Sequence, residues 1–211
     1  DTMKAIYDEL YKIDNSILVY GEPWTGSTSA LDSSKSATSA GTGTSGNGYG
    51  AFDDDFRDAL KGAEFGGFNR GQIQGNYEDA NLILGLSGKT IAKNSRNDTG
   101  KTGLALHYVE CHDNYTLFDK LVYSMDSTIS GDGDWAVNFE KLYNSVMKDE
   151  SKVNLIKKEN KLAAAYVFLS QGTPFINGGQ EFMRTKKGSP DSYSADKKGG
   201  ITWTNTAGKY N

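Results

Sequence analysis

One cysteine, three prolines and two histidines in 211 residues exclude several kinds of chemistry at the outset. Cys111 has no second cysteine to pair with, so an internal disulfide and a cysteine-rich metal site are ruled out, and the redox compartment stays undetermined. His107 and His112 cannot make a zinc site without acids arranged around them, and none is spaced for it. No apolar run reaches the length of a membrane span, so no membrane partner is expected; the opening Asp1-Thr2-Met3-Lys4 also lacks the apolar core of a signal peptide. Basic residues are scattered singly or in short pairs such as Lys157-Lys158 and Lys186-Lys187, within a net charge of −4. They form no stripe of the kind a phosphate backbone requires, and no nucleic-acid partner is expected.

What is present is an ordinary globular balance, 36% hydrophobic and 24% charged, which calls for one domain, or a large piece of one, over residues 1–211. Met3, Ile6, Tyr7, Leu10 and Tyr11 recur at helical spacing over 1–13, with Asp1 or Thr2 as N-cap. Ile17-Leu18-Val19-Tyr20, closed by Gly21 and Pro23, suits a buried strand of a parallel sheet. Residues 27–48 are Ser, Thr, Gly and Ala with almost no apolar anchor and read as a long surface loop. Its Gly41 to Gly46 run matches a dinucleotide fingerprint only formally, because neither the preceding strand nor the following helix is there.

Further along, a strand is expected over 49–52, helices over 53–60, 78–86 and 116–122, and a strand over 104–111. A second insertion, about 123–154, holds a helix over 135–148. A longer helix over 153–170 ends in turns, 162–169, that are apolar nearly all round, as in a buried helix. Pro174-Phe175-Ile176 leads the last strand. The Asp53-Asp54-Asp55 run reads as a helix N-terminus, where the macrodipole favours acids, ahead of a metal loop, since no ligand set at ion-loop spacing follows. Four strand–helix alternations argue for a parallel α/β architecture, in which chemistry sits at the C-terminal ends of strands.

Three polar clusters stand at such ends: Gly21-Glu22-Pro23-Trp24, Glu110-Cys111-His112-Asp113-Asn114, and Asn177-Gly178-Gly179-Gln180-Glu181. Alternation puts Leu18, Tyr20 and Glu22 on one side of the sheet, with Trp24 offering a flat apolar face nearby. A carboxyl against an aromatic wall favours its protonated form, which suits a general acid, while a solvated loop glutamate fits the same residues equally well. His112 and Asp113 reach one site only if the backbone turns at the strand end. On residue types alone, a core histidine followed by a helix-capping aspartate is the stronger reading. A Cys111–His112 nucleophile pair is set aside, because adjacent strand residues face opposite ways.

The blocks Tyr20-Gly-Glu-Pro-Trp-Thr-Gly26, Phe52-Asp-Asp-Asp-Phe-Arg-Asp-Ala-Leu-Lys-Gly62, Tyr108-Val-Glu-Cys-His-Asp-Asn-Tyr-Thr-Leu-Phe-Asp-Lys-Leu121, Leu162-Ala-Ala-Ala-Tyr-Val-Phe-Leu-Ser-Gln-Gly-Thr-Pro-Phe175 and Gly179-Gln-Glu-Phe-Met-Arg-Thr-Lys186 resemble, in order, those of type I pullulanases of the α-amylase clan. The resemblance implies the second half, strands five to eight, of a (β/α)8 TIM barrel, and retaining hydrolysis of α-1,6 branch linkages in pullulan, starch or glycogen. It implies Glu22 as general acid, His112 and Asp113 as a transition-state pair, and Trp24, Asn114 and Tyr115 as sugar contacts. An α-glucan would be the substrate, and the missing half of the barrel or a second copy of the chain would be the protein partner. No cofactor is implied, calcium is not assignable, and an extracellular or cell-surface bacterial setting is expected. The family's nucleophilic aspartate and its arginine would lie on the strand before residue 1, so the 211 residues alone are expected to be inactive, and Asp1 is not a substitute. Loops 27–48 and 123–154 depart from the family pattern and leave branch-length preference open. Another hydrolase of the clan, a non-catalytic glucan-binding fragment and a nucleotide-binding protein are the alternatives.

Overall fold

The computed structural model describes residues 2–22, 28, 30, 32, 50–64, 68–77, 79–88, 102–126 and 135–190. Asp1, Trp24, the Gly41 to Gly46 run and most of loop 27–48 lie outside them. Two compact units divide the chain, the first made of Asp1–Phe56, Asp79–Tyr108 and Leu169–Phe175, the second of Arg57–Glu78, Val109–Phe168 and Ile176–Asn211.

Helix α1 (Thr2–Ile13) opens the first unit. Its described strands, β1 (Tyr20–Gly21), β2 (Gly50–Phe52), β3 (Ala105–His107) and β4 (Thr173–Pro174), form a sheet in that order, and every pairing is parallel. The register sets Tyr20 against Gly50, Ala51 against Ala105 and Leu106 against Thr173. Parallel pairing brings all the strand C-termini to one edge of the sheet, and Glu22, Asp53, Tyr108 and Phe175 follow there.

Period-two alternation gives the sheet two unlike faces. On one, Phe52 sits edge-on to Tyr20, Tyr108 and Phe175, with ring centroids 6.1, 5.1 and 5.0 Å away. Such tilted pairs align the positive edge of one ring with the negative face of the next. On the other face stand Ala51, Ala105 and His107, all fully buried. The two alanines let a helix approach closely. His107 stacks on Phe56 of α2 (Asp54–Lys61) at 4.4 Å, and its Nε2 lies 3.4 Å from the Asp53 carboxylate. Asp53 also accepts a hydrogen bond from Phe56 N at 3.1 Å, so the first acid of the three-Asp run caps α2 as its sequence predicts. Helix α3 (Asp79–Leu86) closes on the same ring through Gly85, where an added methyl would come within 2.4 Å of Phe56.

Two expectations of burial are overturned. The run 17–20 is predicted to be a buried strand, but only Tyr20–Gly21 pairs, and Ile17, Leu18 and Tyr20 are 38%, 38% and 48% exposed. The cause is position: β1 pairs with β2 on one side only among the described residues. Helix α6 (Glu150–Leu169) is likewise not buried all round, since Leu162, Phe168 and Leu169 are exposed. Its buried positions, Ile156, Glu159, Asn160, Ala163 and Val167, recur every three or four residues and make a single stripe.

The second unit carries α4 (Leu117–Tyr123), α5 (Trp135–Met147) and most of α6. Every residue of α4 is buried. Tyr123 stacks on Phe68 at 4.0 Å and tilts toward Phe139 at 5.3 Å. Among the described residues no helix is long and apolar enough to cross a membrane.

Gly85→Ala tests the fit of α3 against Phe56. Alanine gains about 1 kcal/mol of helix propensity over glycine, but its methyl collides with a fully buried ring that is stacked on His107. Overpacking of this kind costs about 1–3 kcal/mol, so the collision prevails and a lower urea midpoint with unchanged slope is expected.

Candidate active site

The site is built on a backbone turn in the second unit. After β3 the chain runs through Val109 and Glu110, turns at 112–114, and enters α4 at Thr116. Asn114 takes φ 61°, the left-handed region that asparagine tolerates better than most residues. Thr116 is extended and its Oγ1 accepts from Asp119 N at 3.1 Å, which makes it the N-cap of α4. Strand end, reversal and capped helix follow one another within a few residues.

That reversal turns both polar side chains outward. His112 and Asp113 have side chains 66% and 53% exposed, with Nε2 and Oδ2 3.5 Å apart. The bland reading of these residues therefore does not hold, because His112 is not in the core and Thr116, not Asp113, caps the helix.

Beneath the pair, three carbonyl groups of the turn accept from donors elsewhere in the unit. Asn177 Nδ2 donates to Cys111 O at 3.2 Å and to Glu110 Oε1 at 3.0 Å. Lys186 Nζ donates to His112 O at 3.2 Å. Lys61 Nζ donates to Tyr115 O at 3.3 Å and is paired with Glu64. Glu110 Oε2 accepts from Leu117 N at 2.6 Å, tying the strand end to the first turn of α4. Asp119 in turn accepts from Thr185 Oγ1, from Lys186 N at 2.8 Å and from Gly188 N at 3.2 Å.

No protein-family model matches the chain. A pullulanase of Bacillus subtilis (strain 168) is 31% identical over 205 residues, 96% of this chain and 25% of that protein. Among solved structures, the pullulanase from Bacillus acidopullulyticus aligns with a TM-score of 0.68 and 34% identity over 92% of this chain and 20% of that one. A mutant pullulanase from Paenibacillus barengoltzii, complexed with maltotriose, aligns with a TM-score of 0.69 and 32% identity, covering 91% of this chain and 26% of that one. The chain is a homologue of pullulanases, which are glycoside hydrolases. It spans about a quarter or less of the length of the relatives it matches.

The pullulanase-like positions are distributed over both units. His112 and Asp113 stand together, with Asn114 half-buried beside them. Tyr115 is only 8% exposed and packs edge-on against Phe68 and Tyr123, at 5.3 and 5.4 Å, under the turn. Glu22 belongs to the first unit, exposed and directly after β1; Trp24 lies outside the described residues. Cys111 is buried, and burial pushes its thiol up from the ordinary range, which keeps it protonated and unreactive. Sequence reasoning missed Lys61, Asp119 and Lys186 as supports. Their only signal is charge on segments that are otherwise buried.

Burial pushes the Asp119 carboxyl up to about 6 even though four donors favour its charged form. Because the folded value lies above the unfolded one, the native state binds the extra proton between them. Stability is then greatest below the ordinary carboxylate value and falls as pH rises through about 6. A carboxyl-carbon NMR titration should place Asp119 near that value. Thr185→Val, which removes one donor to the charged form, should move it higher; a midpoint that stays put would exclude Thr185 as a partner.

Proposed function

We propose that this chain supplies strands five to eight, with their helices, of a pullulanase (β/α)8 barrel, and with them the general acid and the transition-state pair for retaining cleavage of α-1,6 glucan linkages. The observation that carries the reading is the exposed His112–Asp113 pair on a turn braced from beneath, in a chain homologous to pullulanases along nearly its whole length. The parallel sheet, in which strand order follows chain order, supports the barrel assignment. Segments 27–48 and 123–154 are insertions on this reading, and residues 1–211 are part of one catalytic domain.

In the proposed reaction Glu22 protonates the glycosidic oxygen as the bond to the leaving sugar breaks, then takes the proton of the attacking water in the second displacement. His112 and Asp113 hold the hydroxyls nearest the reacting carbon, contacts that strengthen as positive charge develops there. Trp24 and Asn114 contact the glucan, and Tyr115 forms the packed floor of the turn. The attacking carboxylate comes from outside these 211 residues. An α-glucan is the substrate, in keeping with the maltotriose bound by the P. barengoltzii protein.

Glu22→Gln in the full pullulanase polypeptide keeps the side chain's shape and removes its proton. Release of reducing sugar from pullulan should fall about 10²-fold or more. Activity within a few-fold of wild type would remove Glu22 from the mechanism, and glucan affinity without any turnover in either protein would favour a binding role.

The 211 residues by themselves should associate. Helix α1 buries none of its described side chains, Met3, Ile6, Tyr11, Ile13, Ile17, Leu18 and Tyr20 are exposed, and β1 pairs on one side only among the described residues. Open edges and apolar rows seek partners. Light scattering over a dilution series should show mass above the monomer, from pairing with a second copy, or one-to-one assembly when the missing half is added. A compact monomer with native-like near-ultraviolet dichroism throughout would overturn the half-barrel reading.

A further inference from the structure

The turn that carries His112 and Asp113 is closed by one side chain. Glu110 is 1% exposed, and each of its carboxylate oxygens has a donor of its own: Oε2 accepts from Leu117 N at 2.6 Å and Oε1 from Asn177 Nδ2 at 3.0 Å. Leu117 is the first residue of α4, and its amide is one of those a helix leaves without an intrahelical partner. Thr116 Oγ1 takes Asp119 N, so the helix start is capped locally by Thr116 and from across the turn by Glu110. The bond between residues 110 and 117 joins the two ends of the turn and makes a ring of residues 111–116. Asn177 pins the start of that ring, since the same Nδ2 also donates to Cys111 O at 3.2 Å. A buried carboxyl is costly to desolvate, and a side chain that only filled space there would be apolar. The two donors explain the choice: a carboxylate offers an acceptor at both oxygens, whereas an amide of the same shape offers one acceptor and one donor. Burial pushes the Glu110 carboxyl up, while the bond from Leu117 N, the charge of Lys61 and the bond from Asn177 favour the charged, doubly accepting form.

We propose that Glu110 is a positioning residue: by joining the ends of the 111–116 ring it sets where the His112–Asp113 pair stands against the reacting sugar. The inference rests on the pair having the role given under Proposed function. Glu110 acts on the two ends of the ring and not on His112 itself, so it works alongside every other contact that the histidine makes. With an amide in place of the carboxylate, either Leu117 N or Asn177 Nδ2 faces another donor, and the end of the ring that it serves moves. Misplacement by about 1 Å costs on the order of 10²-fold when a contact matters chiefly in the transition state.

The test is glucan hydrolysis by the full polypeptide. Glu110→Gln keeps the shape of the side chain and leaves one acceptor for two donors. We expect kcat on pullulan to fall about 10- to 100-fold, with the affinity for maltotriose changed by less than about threefold. In a His112→Ala/Asp113→Ala background, read on an aryl maltotrioside whose good leaving group raises the residual rate, the same substitution should have almost no further effect, because the pair it positions is gone. A wild-type kcat in Glu110→Gln, a loss confined to KM, or equal losses in both backgrounds would overturn the proposal. If turnover without the pair is too slow to read, a crystal structure of Glu110→Gln decides: His112 and Asp113 displaced by about 1 Å or more supports the role, and a pair left in place overturns it. Should Glu110→Gln fail to fold, Asn177→Ala removes the donor to Oε1 alone, and its kcat loss must show the same dependence on the pair. If the His112→Ala/Asp113→Ala protein hydrolyses pullulan like wild type, the functional assignment itself fails, which is a different result from an uncoupled Glu110.

Discussion

The fold around the candidate site depends on one requirement: the carbonyl groups of the turn after β3 must be met by donors that arrive from below. A chain that reverses at a strand end to show two polar side chains turns part of its backbone inward. An unmatched buried carbonyl costs about 1–3 kcal/mol, so a turn with several of them would not persist alone. Asn177, Lys186 and Lys61 each cover one. The site is exposed above because it is satisfied underneath.

Charged groups do this work at a cost of their own. Burial drives Glu110 and Asp119 up and Lys186 down from their ordinary ranges, the direction that disfavours the charged form of each. Mutual attraction opposes it, since Asp119 and Glu110 both favour the protonated amine of Lys186. A buried ionic network of this kind adds little net stability over an apolar equivalent. What it supplies is geometry: an apolar core would tolerate many turn conformations, whereas a carbonyl gripped at 3.2 Å by an amine tolerates few.

Sequence patterns made part of this legible. The apolar runs located all four described strands, the three-Asp run located the α2 cap, and the polar clusters marked the strand ends where Glu22, His112 and Asp113 stand exposed, while the roles expected of those three came from the family resemblance alone. Extent and burial were harder. The strand expected over 104–111 pairs only at Ala105–His107, because the chain leaves the ladder to make the turn. An apolar run reports that something should cover it, and not that anything does, so Tyr20 and Phe168 read as buried and are exposed. The braces were out of reach for a different reason. Lys61, Asn177 and Lys186 meet their carbonyls from 54, 66 and 74 residues away, and no local pattern encodes a partner at that distance.

That separation also means that the site draws on distant parts of the chain. Two of the three donors, Asn177 and Lys186, come late in the chain, after the whole of α5 and α6. The His112–Asp113 turn is joined to α4 through the Thr116 cap and to the 177–190 segment through Asn177 and Lys186. Asp119 anchors that segment through three contacts, from Thr185, Lys186 and Gly188, within a stretch of four residues. One buried carboxylate on α4 thus links the helix that begins at the turn to the segment whose Lys186 amine meets the turn's backbone.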